Sequence, residues 1–198
     1  MNKPIRVAIL LYDEVELLDF AGPFEVFSLA EDPQNGQKAF SIFTVAERPG
    51  MVRVRNGLLV QPQYSFKWAP DCDLLVVPGG YGAEQVELYN HIVTGFIKSN
   101  AEKGAVVASV CTGAFLLAQA GLLQGRTAVT HWMDADRLER EHPEITVKRD
   151  VKYVDEGEIL TSAGISSGIA LSLYLVKRLV GEEAARKVAR RMEYEFNL

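Results

Sequence analysis

The 198-residue chain has only two cysteines, Cys72 and Cys111, and three histidines. Two thiols cannot build the disulfide framework on which small secreted domains depend. A chain of this length needs none, because one core can bury roughly seventy per cent of its unfolded surface. A signal peptide is also missing: Met1-Asn2-Lys3-Pro4 runs straight into a strand-like segment, so reduced thiols in a cytoplasmic protein are expected. Basic residues are outnumbered by acidic ones, 21 to 26, for a net charge of −5, and they form no block. Nucleic-acid binding through phosphate contacts is therefore not expected, and the partner is expected to be a small molecule or another protein chain. Nowhere do His, Cys, Asp and Glu fall at metal-ligand spacing, and no glycine pattern resembles a dinucleotide or phosphate loop. Neither a metal nor a nucleotide or other cofactor is expected.

Charge is absent from two long stretches, Ala105 to Gly125 and Ile159 to Val176, long enough for a membrane span to be considered. Both are interrupted by serine, threonine and glycine, with glutamine in the first, and read better as buried strand-turn-helix pieces. No membrane association is expected.

Apolar runs of strand length alternate with helix-length stretches: Ile5 to Tyr12 then Gly22 to Ala30; Phe40 to Ala46; Leu74 to Pro78 then Ala83 to Lys103; Ala105 to Val110 then Gly113 to Ala120. This order predicts an α/β fold with a mostly parallel sheet and helices on both faces. Val52 to Arg55 and Leu58 to Gln61 flank Asn56-Gly57, which suits a type I′ turn and predicts an inserted β-hairpin. A second β pair is predicted over Lys152 to Val154 and Ile159 to Thr161. Helices are predicted from Ser166 to Val180 and from Glu182 to Glu195, broken at Gly181. No linker or repeat divides the chain, so residues 1–198 are expected to form a single domain.

Ligands of open α/β sheets bind beyond the C-terminal ends of the strands. Ser109-Val110-Cys111-Thr112-Gly113 marks a sharp strand-to-helix turn that would lift Cys111 to the free N–H groups of a helix start, where the thiolate is favoured. The alternative is a small buried hydrophobe. Asp19, in a predicted loop before Gly22-Pro23, is placed at the same edge; protonated it can donate to the thiolate and pass its proton to substrate, ionised it can activate water, or it can simply cap the helix. Gly79 and Gly80 can aim backbone N–H groups at a ligand or only shape a tight turn. Gly80 N–H with Thr112 N–H is the expected donor pair, and the Thr112 hydroxyl either contacts substrate or bonds its own backbone. Of the histidines, His91 reads as solvated and His142, before Pro143, as a helix end. Only His131 lies at a comparable strand end, where a structural and a catalytic role are both open.

Taken together, Leu18-Asp19-Phe20-Ala21-Gly22-Pro23-Phe24-Glu25-Val26-Phe27, Val77-Pro78-Gly79-Gly80, Ser109 to Ala114, Thr130-His131-Trp132 and Thr161-Ser162-Ala163-Gly164 resemble the DJ-1/PfpI superfamily. Within it the chain is most similar to isonitrile hydratases and to the ligand-like domain of AraC-type regulators, whose helix-turn-helix part is not expected in a chain ending at Leu198. The resemblance implies a flavodoxin-like three-layer sandwich, usually a homodimer, with Cys111 as reactive cysteine on a nucleophile elbow, Asp19 as its acid and Thr112 following it. PfpI-type peptidases place histidine after the cysteine, and glutamine amidotransferases use a His-x-Glu motif; Thr112 and Trp132-Met133 depart from both. DJ-1-type glyoxalases and deglycases use a glutamate where Asp19 stands. The activity implied is a cofactor-free lyase hydrating an isocyanide to a formamide. A redox- or ligand-sensing module is the second reading, and a glyoxalase or deglycase the third.

Overall fold

The structure is a computed structural model that describes residues 3–195. Met1 and Asn2 of the expected leaderless start, and residues 196–198 of the expected domain 1–198, lie outside the described residues. Eleven strands are formed among the described residues: β1 (Ile5–Leu10), β2 (Phe40–Ala46), β3 (Val52–Arg53), β4 (Leu59–Val60), β5 (Tyr64–Ser65), β6 (Leu74–Val77), β7 (Val106–Val110), β8 (Thr127–Ala128), β9 (Thr146–Val147), β10 (Tyr153–Asp155) and β11 (Ile159–Ser162). The helices are α1 (Leu17–Leu29), α2 (Tyr81–Gln85), α3 (His91–Glu102), α4 (Gly113–Gln119), α5 (Ala135–Glu141), α6 (Ser167–Leu179) and α7 (Glu182–Arg191).

Seven strands make the main sheet in the order β10-β11-β7-β6-β1-β2-β5. All its pairings are parallel except that of β10 with β11. Helices α1, α6 and α7 pack together, as do α3 and α4, and the architecture is the flavodoxin-like α/β sandwich. Covered on both faces, the central strands lose the alternation of a half-exposed sheet: every residue of β6 is buried, and Val7 to Leu11 are fully enclosed.

Several boundaries differ from the sequence expectation. Helix α1 begins at Leu17, not Gly22, which moves Asp19 from a loop into the first helical turn and leaves Pro23 inside the helix. Proline there removes only the bond that would reach the Asp19 carbonyl, and its fixed φ suits the helix. The expected helix Ala83 to Lys103 is broken into α2 and α3. Val86 departs from helical geometry, and Asn90 restarts the chain by accepting the Ile92 N–H on its side chain at 3.0 Å. The hairpin forms, but its turn spans three residues, Arg55 to Gly57, closed by Val54 N–H to the Leu58 carbonyl at 2.8 Å. It is pinned to the β1–α1 loop: Arg53 N–H donates to the Asp13 carboxyl at 2.8 Å, and Arg55 N–H to the Val15 carbonyl at 3.0 Å. Edge strand β5, two residues long, has no pattern a sequence reading could detect. Helix α7 stops at Arg191 because Glu193 turns to φ 52°.

Candidate active site

Strand β7 ends at Val110 and α4 begins at Gly113, so the chain reverses direction at Cys111, whose φ is 56°. A non-glycine residue in this region stores roughly 1–3 kcal/mol of strain, which surrounding bonds must hold. Here they do: Cys111 N–H donates to the carbonyls of Ser162 and Ala163, each at 3.1 Å. Its own carbonyl accepts the Thr130 hydroxyl at 2.9 Å. The turn also needs Gly113, where a Cβ would lie 2.2 Å from the Val77 carbonyl oxygen.

Asp19 is fully buried beneath this turn. Its Oδ2 accepts the Gly79 N–H at 2.9 Å, while Oδ1 has no hydrogen-bond partner among the described residues. The capping alternative therefore gives way to a carboxyl directed across the sheet edge. Burial raises its pKa to about 8, against the Gly79 bond and with the Glu16 charge adding. The Cys111 thiol is its neighbour, and their interaction opposes the rise.

The thiol corrects an expectation. Far from being drawn down by a helix start, it is pushed up to about 12, first by burial and then by the Asp19 charge. The N–H groups of Ile165 and Thr112 on the sulfur pull the other way, and Asp134 adds to the rise. Only 6% of Cys111 is exposed, and α4 is a seven-residue helix, so desolvation outweighs its end. The two groups share protons, and the pair gives up its first proton near 8.

The glycine loop also acts differently from expectation. Gly79 N–H is held by Asp19, and Gly80 N–H donates to the Thr112 hydroxyl at 2.9 Å, so neither is free for a ligand. Their lack of side chains serves close approach: a Cβ on Gly79 would lie 2.5 Å from the Thr112 nitrogen. Gly80, at φ 119°, adopts backbone geometry that suits glycine alone. Tyr12, buried below, donates its hydroxyl to the Pro78 carbonyl and lies 3.2 Å from that of Gly79.

The donors at the sulfur are thus Thr112 N–H and Ile165 N–H. Ile165 escaped the sequence reading because an apolar residue after Ala163-Gly164 carries no chemical signal; its φ of 37° is visible only in the fold. His131 is placed beside this same loop. A Cβ on Gly164 would meet its ring at 2.3 Å, Nδ1 accepts the Met133 N–H at 3.4 Å, and Asp134 is 3.6 Å away. These contacts tie His131 to the loop that carries Ile165. Cys72 lies elsewhere, its sulfur 3.4 Å from the Asn100 side-chain oxygen. Among the described residues no group of three or more His, Cys, Asp or Glu could hold a metal, and no helix is long and apolar enough to cross a membrane.

A parallel α/β sandwich with a strained cysteine turn between a central strand and a helix, backed by a buried acid, defines a class of proteins built around a cysteine elbow. The chain belongs to the DJ-1/PfpI family, whose model matches residues 5–178. It is 35% identical over 190 residues to an isonitrile hydratase of Pseudomonas putida, covering 96% of this chain and 78% of the relative. It is 26% identical to the HTH-type transcriptional regulator GbdR of Pseudomonas aeruginosa, covering 98% of this chain but only about half (52%) of the regulator. The structure of Drosophila melanogaster DJ-1beta superposes with a TM-score of 0.84 at 18% identity, covering 98% of this chain and all of that one, a likeness of fold.

Proposed function

We propose that this protein hydrates an isocyanide to an N-substituted formamide without a cofactor. The observation that carries the proposal is a buried sulfur beside a carboxyl that keeps a proton to about 8, with two backbone N–H groups on the sulfur. The Cys111 thiolate attacks the terminal carbon of R–N≡C, forming the C–S bond, while Asp19 gives its proton to that carbon to leave a thioimidate. Asp19 regains a proton from solvent and passes it to nitrogen as water adds and sheds one proton. The adduct then breaks its C–S bond: the electron pair returns to sulfur, the hydroxyl proton goes to Asp19, and the formamide leaves. Thr112 N–H and Ile165 N–H steady the sulfur while it carries charge. The similarity to an isonitrile hydratase over almost the whole chain supports the same reading.

The similarity to a regulator favours a second reading, a module that binds a small molecule through Cys111 without turnover. Oxidation sensing fits the geometry less well, since sensor thiols are exposed and of low pKa. A panel of aliphatic and aromatic isocyanides assayed for formamide, with Cys111→Ala as control, separates the two. Formamide formation that needs Cys111 supports hydration; binding without product across the panel would leave the ligand-binding reading in its place. We further propose a homodimer, since Leu17, Leu18 and Phe24 expose apolar surface on α1. Sedimentation as a monomer at micromolar concentration would contradict it.

A further inference from the structure

Between α2 and α3 the chain makes a short helical turn, Glu87–Tyr89, and this break puts a carboxyl into a cavity that excludes Cys111, Asp19 and Thr112. The cavity, about 470 Å³, opens beyond the C-terminal ends of β1 and β2, at the sheet edge where ligands of open α/β folds bind. Cys111 stands at the same edge beyond β7, with β6 and its loop in between. Val52 from the hairpin, Tyr81 from α2, Val86 and Val93 from α3 give the cavity apolar walls. Met51, Tyr81 and Val86 are each more than half exposed around its mouth.

Its floor is acidic. Asp13, Glu14, Glu47 and Glu87 line the cavity with one cationic side chain, Arg48. Asn90 ties two of these acids together: its Nδ2 donates to Glu47 Oε2 at 2.7 Å and to Glu87 Oε2 at 2.8 Å. Its Oδ1 accepts the Ile92 N–H at 3.0 Å, which fixes the way the amide faces, and both amide protons are then engaged. Glu47 Oε1 accepts from Arg48 Nε at 2.9 Å. Glu87 Oε1 has no hydrogen-bond partner among the described residues, although Glu87 is only 8% exposed. Unlike the sealed Asp19 Oδ1, this oxygen is open to the cavity that Glu87 lines. Burial raises the Glu87 pKa, the Asn90 bond opposes the rise, and the Glu47 and Asp13 charges add to it. A cation at Oε1 would relieve both the desolvation and the repulsion.

We propose that this cavity binds a protonated primary amine carried on an unbranched apolar chain, with the ammonium on Glu87 Oε1 and the chain along Val52, Val86 and Val93. One free oxygen suits a compact ammonium with separate donors, whereas a guanidinium seeks two parallel acceptors and would meet Arg48. A carboxylate would face four acids and one cation already paired with Glu47. A metal ion would lack ligands, since these acids do not converge as a group of three. The site is separate from hydration at Cys111, and neither reading depends on the other.

The test is calorimetric titration of the full chain at near-neutral pH with hexylammonium chloride, 1-hexanol and sodium hexanoate. Hexylammonium is expected to bind about tenfold more tightly than 1-hexanol, the difference made by one hydrogen bond to a charged group, and hexanoate is expected not to bind. Glu87→Gln, whose amide oxygen can still accept from Asn90, is expected to weaken hexylammonium about tenfold and bring it level with the alcohol. Val86→Trp, a change at an exposed wall position, is expected to weaken both ligands by filling the cavity, and it decides the matter if Glu87→Gln fails to fold. Amide resonance shifts on adding hexylammonium are expected to centre on Val52, Val86 and Val93. Equal affinity for hexylammonium and 1-hexanol, no binding of hexylammonium at millimolar concentration, shifts centred on Cys111, or unchanged affinity in Val86→Trp or in folded Glu87→Gln would overturn the proposal. None of these results alters the isocyanide assay.

Discussion

Replacing Asp19 by asparagine is expected to change stability with a pH signature that reports the buried proton. In the unfolded chain an aspartate ionises near 3.8, whereas Asp19 in the fold keeps its proton to about 8. Between those values the folded state binds one more proton than the unfolded state, so stability falls as pH rises, by about 1.4 kcal/mol per unit. From pH 4 to pH 7 this amounts to about 4 kcal/mol, a large share of the stability of an ordinary domain. The Asp19→Asn variant cannot ionise and lacks this slope. Its amide oxygen still accepts the Gly79 N–H, while its NH2 replaces the unpartnered Oδ1. An unpaired buried amide costs about 1–3 kcal/mol, but equally at every pH. Urea unfolding of both proteins at pH 4.5, 5.5, 6.5 and 7.5 therefore isolates the ionisation. The difference should move in favour of the variant by about 1.4 kcal/mol per pH unit, even as isocyanide turnover is lost. Parallel stability curves would refute the reasoning. So would a difference that moved toward the wild type with rising pH, which would mean that the fold stabilises the carboxylate.

The same pair shapes the rate: kcat/KM for an isocyanide should rise about tenfold per pH unit up to about 8 and level off above it, and a flat profile from pH 5.5 to 7.5 would contradict the shared-proton account. Gly79→Ala should destabilise the fold by about 1–3 kcal/mol and slow alkylation or turnover at Cys111, because its Cβ meets backbone that cannot yield; an unchanged thermal midpoint would show that the loop can move aside. Tyr12→Phe should cost about 1–3 kcal/mol by leaving the Pro78 and Gly79 carbonyls without their buried donor. Denaturant midpoints measure it, and a neutral effect would mean that those carbonyls find other partners.

Much of this architecture is legible in the chain because it is local. Continuous apolar runs announce strands covered on both faces, and Asn56-Gly57 announces a hairpin, though its register and turn length depend on bonds to Asp13 and Val15 forty residues earlier. Small residues around Cys111 announce the elbow, and the need for Gly113 is a contact with the end of β6. Pro23 is a strong local signal for a helix start at Gly22, yet α1 begins five residues earlier, at Leu17, with Pro23 inside it.

What the sequence by itself determined is the order of elements and the presence of Cys111, Asp19, Thr112 and the Gly79-Gly80 loop at one sheet edge, since strand period and turn chemistry act over a few residues. Only the tertiary structure decided their states. Whether Asp19 keeps its proton depends on how completely water is excluded from it, and whether Gly80 N–H is free depends on a hydroxyl 32 positions away. The Ile165 backbone acts on the Cys111 thiol only because separate strands and helices converge there. Desolvation and hydrogen-bond pairing are properties of the space around a group, and that space is assembled from residues far apart in the chain.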